Sequence, residues 1–361
     1  MNGSQKDAKI NGAMIIQTAP AGQPRLAIMM YEHTALCGQF ARAFGNDAFE
    51  PLAPLDPMVY VISHHDAGWL EFDHDPLTDP KTGLPYNLIE TPAQYITITS
   101  RLSPDFNERQ GPFCGLISSM HSWGLYNGRY GLSNHVLIKQ FPESERPLAE
   151  RMLDGELARQ KRLKEDVRKD PKLADRLDEK KLFQNYKQLQ FIDTLALYFN
   201  RVHPSERGTQ VFEHVPRNAD DEAAVTIKPQ GEGVYALSPF PFAPTDAEFA
   251  FAGRHVHPGE NGKNRRWTDI LRRAPTLWER FRPEASVNFA ERIERDETAG
   301  VRGRGRVLAG RIPVVHHALE RLDRPPPQGL TAKESPLVEL RAVAGREALK
   351  EIAQIEAGGR L

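Results

Sequence analysis

The sequence predicts a mainly α-helical bundle with a small appended β element and a loosely structured C-terminal tail. Three observations lead there. Apolar residues recur with helical period through most of residues 27–201. After about residue 205 the pattern changes to short strand-like runs, "AVTIKP", "GVYALSPFPF" and "EFAFAGRHV", separated by Pro and Gly turns. Residues 301–361 contain "VRGRGRVLAGR" and "RLDRPPPQGL", which carry little amphipathic pattern. These changes divide the chain into a helical core (1–205), a strand-rich segment packed on it (206–300) and a peripheral, partly disordered tail (301–361). In that tail only "LVELRAVAGREALKEIAQIEA" reads as a helix.

The elements follow in order. "AMIIQTA" is a first strand, turned by "PAGQP". Helical period then runs from Ala27 to Phe44 and is stopped by "GND". A second helix takes Asp56 as N-cap and Pro57 as its first helical residue, with Gly68 as its stop. Residues 70–92 are rich in Pro, Asp and Gly and read as loop. Helices are expected over "AQYITITSRL" and "FCGLISSMHSWGLY". The charged stretch 144–180 interleaves acids with bases and breaks at "DP" into two solvated helices. A long helix, "KLFQNYKQLQFIDTLALYFNR", completes the helical part, and no internal repeat is apparent.

Composition narrows the function. The 361 residues suffice for one large domain or two ordinary ones. With 47 basic and 48 acidic residues the net charge is −1, so no global field gathers nucleic acid or an anionic membrane. The first twenty residues show no basic segment followed by a long apolar one, and no apolar run approaches the ~20 residues that span a bilayer. Cys37 and Cys114 are the only cysteines and are expected as free buried thiols in a reducing cytoplasm. The expected partner is a small, anionic molecule, with no nucleic acid and no membrane.

Against that background, four helices each carry an imidazole or carboxylate on an apolar stripe. Met58, Val61, Ile62 and His65 fall at i, i+3, i+4 and i+7, with Asp66 at the edge of the same face and His64 on the polar side. Met29, His33, Leu36, Phe40 and Phe44 form a second stripe, and Leu182, Tyr186, Leu189, Asp193 and Ala196 a third. His121 stands one turn after Ile117. A single histidine on such a face is usually an ordinary core residue. Asp193, however, has no local partner, and a buried charge is costly unless paired or bound to a metal. Mixed imidazole and carboxylate donors suit a divalent metal such as Fe, Mn, Zn or Ni, and also Mg.

The order of these residues resembles the HD superfamily of metal-dependent phosphohydrolases, in which a His, a His-Asp pair, further histidines and a late Asp occur in sequence. His33, His65–Asp66 and Asp193 fit that order, and "HDAGW" is similar to the His-Asp-x-Gly segments of such proteins. More narrowly, "EHTALCGQFA", "SHHDAGWLEFD", "SSMHSWGLY" and "FIDTLALYF" resemble the uncharacterised family DUF3891 over roughly residues 10–260. The resemblance implies an HD-domain-like bundle that hydrolyses a phosphate ester or nucleotide-like molecule with a metal-activated water. It implies that His33, His65, Asp66 and Asp193 hold a first ion. With two ions, Asp66 would bridge them, His121 would bind the second and His135 would be a further ligand. With one ion, His121 would contact phosphate or shuttle protons, and His64 would orient a ligand or lie at the surface. Arg101, Arg129 and Lys139 flank the site, and the loop "EFDHDPLTDPKTGLPYN" would be a lid. Two other readings stay open: a di-iron oxygenase of this fold using O2, and a degenerate domain serving as a ligand sensor.

Overall fold

Two short strands, β1 (Ile15–Ile16) and β2 (Arg25–Ile28), open the described part of the chain and lead into α1 (Met30–Ala43). The structure is a computed structural model that describes residues 14–260 and 265–286. These lie within a unit running from Ile10 to Ser286. The helices α2 (Leu55–Ile62), α3 (Leu70–His74), α4 (Ala93–Glu108), α5 (Pro112–Tyr126), α6 (Arg146–Arg168) and α7 (Glu179–Arg201) come next. Strands β3 (Gln210–Pro216), β4 (Glu222–Gly231), β5 (Val234–Ser238) and β6 (Phe249–Val256) follow, then α8 (Trp267–Arg273) and β7 (Leu277–Ala285).

The strands form one seven-stranded sheet in the order β1-β2-β6-β7-β5-β4-β3. Every neighbouring pair is antiparallel except β5 with β7, which is parallel. The β element is therefore neither small nor appended, and the fold is not a mainly helical HD bundle. It is a helical layer on a mixed sheet, and the sheet begins at the N-terminus. The physical reason is long-range pairing: "RLAI" becomes β2 because Arg25, Leu26 and Ala27 lie opposite Val256, His255 and Arg254. That pairing takes Ala27 and Ile28 out of the helix expected from Ala27, which starts instead at Met30.

Helices α1 and α7 lie on the sheet. Phe40 of α1 packs 4.7 Å from Phe249 of β6, and Phe199 of α7 stacks at 3.7 Å on Phe281 of β7. Aromatic pairs of this kind add to the apolar area they bury. Arg207, buried after the end of α7, ties helix to sheet: it donates to the Val202 and Phe199 carbonyls and to the Tyr235 hydroxyl, and pairs with Glu279 at 2.5 Å.

Local signals mark the starts of α5, α6 and α7. Asp178 accepts from the backbone N–H groups of Lys180 and Lys181 to cap α7. Proline occupies the first turn of α5 and of α6. The charged α6 docks through its few apolar residues and Arg159, which bridges Asp105, Glu108 and the buried Glu156. The break at "DP" falls where expected, but the second piece is only a short helical turn, Ala174–Leu177. Two boundary expectations change at α2: Pro54, not Asp56, precedes its first residue, and the helix ends at Ile62 rather than at Gly68. The C-terminal tail 301–361, with its expected helix, and residues 287–300 lie outside the described residues.

Candidate metal centre

Four segments converge behind the sheet-facing side of α1. His33 and Cys37 sit one turn apart on the buried face of α1. His121 is on the buried face of α5 and Asp193 on that of α7. His65 and Asp66 lie past the end of α2, in a turn that His65 helps to form by bonding Nδ1 to the Ile62 carbonyl at 2.9 Å. Asn107 of α4 holds the same turn by donating to the His64 carbonyl at 2.8 Å.

Gly68 has a different role from the helix stop expected of it. A Cβ there would lie 2.2 Å from the Thr99 carbonyl oxygen of α4, so only glycine lets the two segments touch. Its N–H donates to the Ser103 hydroxyl at 3.0 Å.

The donor distances are short. His33 Nε2 stands 3.3 Å from Asp193 Oδ1, His65 Nε2 3.6 Å from the same oxygen, and His65 Nε2 3.4 Å from Asp66 Oδ2. The His65 ring meets both neighbours edge-on, His33 at 5.4 Å and His121 at 5.0 Å between centroids. Exposure is 0% for His33, 1% for His65, 2% for His121 and 5% for Asp193, so the centre is closed except beside the half-buried Asp66.

The far nitrogen of each ring is held. His33 Nδ1 lies 2.9 Å from Asn200 Oδ1, and His65 Nδ1 is on the Ile62 carbonyl. The Gln190 amide lies against His121 Nδ1. Gln190 Oε1 otherwise has no partner; turned to accept from Nδ1–H, it gains one and leaves His121 Nε2 as a lone pair. All three rings then carry their proton on Nδ1 and present a bare Nε2. Such anchoring is how metal-binding imidazoles are usually oriented.

Without an ion, the charges settle differently on each group. Burial works against charge on His65, yet Asp66 and Asp193 outweigh it and lift its pKa well above the usual imidazole range. Burial and then the neighbouring His65 push His121 down to about 4. Burial would raise Asp193, but His33 and His65 hold it well below the carboxylate range.

The structure brings together five of the residues singled out in the sequence: His33, His65, Asp66, His121 and Asp193. It does not bring in the other two. His64 stacks on Tyr60 at 4.3 Å and on Phe106 at 5.7 Å, bonding the Tyr60 carbonyl. His135 is exposed beside Gln140. Sequence reasoning missed Cys37, taken as an inert thiol, although it follows His33 by one helical turn. It also missed Gln190 and Asn200, which repeat the helical phase of Asp193 on α7. Among the described residues, two groups of converging donors occur, His33–Cys37–His65 and His65–His121–Asp193, each with its donor atoms within 4.8 Å.

Fold and centre together define a helix-on-sheet protein with a buried His/Asp cluster suited to a cation. The chain belongs to the family described as protein of unknown function (DUF3891), which matches residues 14–258 and so includes the whole cluster. No curated protein and no solved structure matches it.

Proposed function

We propose that this protein is a metal-dependent hydrolase of HD type acting on a phosphate ester or nucleotide-like small molecule. One observation carries the reading. His65 Nε2 is fully buried with no hydrogen-bond partner among the described residues, yet two carboxylate oxygens face it at 3.4 and 3.6 Å. Those separations exceed a good N–H···O bond of about 2.7–3.2 Å. They suit two donors sharing one ion, since ligand bonds near 2.1 Å at tetrahedral angles separate donors by about 3.4 Å.

A divalent ion would supply a water-derived nucleophile near neutral pH and draw charge from a phosphoryl group. The chain's own residues divide the remaining work. Asp66, the most exposed member, lies at the wetter edge of the cluster and can accept a proton from an attacking water. His121, its Nδ1 held by Gln190, can join His65 and Asp193 in holding the ion. Arg129 is carried on four successive residues of positive φ, Gly128 (63°), Arg129 (53°), Tyr130 (59°) and Gly131 (90°), and its charge reaches both His121 and Tyr186. Strained backbone beside a site supports a functional role for the residue it presents, here an anion contact.

Both converging donor groups contain His65, and one imidazole nitrogen binds one ion. This favours a single ion over a di-iron oxygenase. Two unpaired buried thiols agree with a reducing compartment such as the cytoplasm. The test is metal analysis of purified protein followed by phosphate release from a panel of phosphomonoesters, phosphodiesters and nucleotides. About one ion per chain with ion-dependent release supports the reading. A chain that binds no ion, or an ion-loaded chain that consumes O2 and releases no phosphate, overturns it.

A further inference from the structure

We infer that Cys37 is a ligand of the same ion, and that the centre therefore takes a thiolate-tolerant metal such as Zn, Fe(II) or Co(II) rather than Mg or Mn. This rests on the metal reading above and narrows it.

The geometry comes first. Cys37 Sγ lies 3.8 Å from His33 Nε2, the nitrogen that also faces Asp193 Oδ1 at 3.3 Å. Bonds of about 2.3 Å to sulfur and about 2.05 Å to nitrogen, at tetrahedral angles, separate S from N by about 3.6 Å. The His33–Cys37–His65 donors lie within 4.8 Å of one another, and His65 Nε2, buried and without a hydrogen-bond partner, belongs to that group. His33 and Cys37 are spaced i, i+4 on one helix, which aims both side chains at one point.

Binding an ion at Cys37 replaces the thiol by a thiolate and releases its proton to solvent. Thiolate donors select the softer metals and disfavour Mg and Mn.

The test loads the full chain with Co(II) and records its absorption. A thiolate-to-cobalt charge-transfer band in the near ultraviolet is expected, lost in Cys37→Ser and retained in Cys114→Ser. X-ray absorption of the Zn-loaded wild type needs no variant, and should show one sulfur at about 2.3 Å. A chain that binds one Co(II) without a thiolate band, and Zn without a sulfur neighbour, overturns the Cys37 assignment and leaves the metal reading standing. A chain that binds neither ion overturns both.

Discussion

His33 and Asp193, from the first and last long helices of the fold, meet with Nε2 and Oδ1 3.3 Å apart, and both are buried. Asp193→Asn keeps the size of the side chain and removes its charge. It is expected to leave far-UV circular dichroism unchanged and to weaken metal binding by more than the roughly 10–100-fold that loss of an outer partner costs. Metal titration by calorimetry checks this; unchanged affinity would show that the carboxylate serves only the fold.

The adjacent histidines of "HHD" should behave as opposites. His65→Ala removes a buried nitrogen facing two carboxylates and should abolish bound metal in elemental analysis. His64→Ala removes a ring stacked on Tyr60 and Phe106 and should retain most of it. The reverse result would place the ion on the other side of the turn.

Gly68→Ala drives a methyl group into the Thr99 carbonyl. Overpacking of this kind costs about 1–3 kcal/mol, and because the shift falls between α4 and the His65 turn, metal affinity should fall with stability. Urea unfolding of the metal-free protein measures the first effect, and a titration the second. A variant as stable as the parent would mean that α4 moves aside without strain.

Asp73 accepts from the Met30 and Tyr31 N–H groups and so caps the helix that carries His33. Burial pushes its carboxyl from 3.8 up to about 7 despite those two bonds, and the acidic Glu32 and Asp66 add to the shift. A raised folded pKa means the native state holds the proton more tightly than the unfolded chain. Asp73 therefore favours folding at low pH, and its contribution is lost as pH rises from about 4 to about 7. Wild type minus Asp73→Asn, compared by urea unfolding across that range, should show a stability difference that declines with pH. A flat difference would mean that the N–H bonds offset burial in full.

Arg159 pairs with Glu156 on the buried face of α6, a 2%-exposed carboxyl that burial pushes up to about 7 despite the guanidinium beside it. Above that pH Arg159→Ala strands the charge, and breaking a buried pair from one side costs about 3–5 kcal/mol. Arg159→Ala with Glu156→Gln should recover a large part of the loss in the same unfolding assay. No recovery would assign the cost to Asp105 and Glu108 instead.

The donors were legible because helix phase is local: His33, His121 and Asp193 each continue an apolar stripe that a few neighbouring residues define. His65 and Asp66 kept their inward aim although α2 ends at Ile62, because the turn after it preserves nearly the same rotation. β1, β4, β5 and β6 fall on stretches read as strands, but the single sheet that joins them was not legible, because β2 pairs with the distant β6 and β5 meets β7 in parallel across a long excursion. "LWERFRPEA" carries alternation too weak to announce β7. Cys37 was hidden by chemistry rather than distance, since a thiol on an apolar stripe looks like any small hydrophobe until its neighbours are known.

The strand order also sets a timetable for synthesis. β2 emerges from the ribosome early with only the two-residue β1 to pair with until β6 has been translated, and α1 must wait for Phe249 of β6 and then Phe281 of β7 beneath it. Contacts so distant in sequence close late and slowly. A nascent chain halted before residue 249 would thus carry every imidazole and carboxylate of the centre without the floor that aligns His33. On the metal reading proposed above, ion capture would be a closing event of biogenesis, following the last strands.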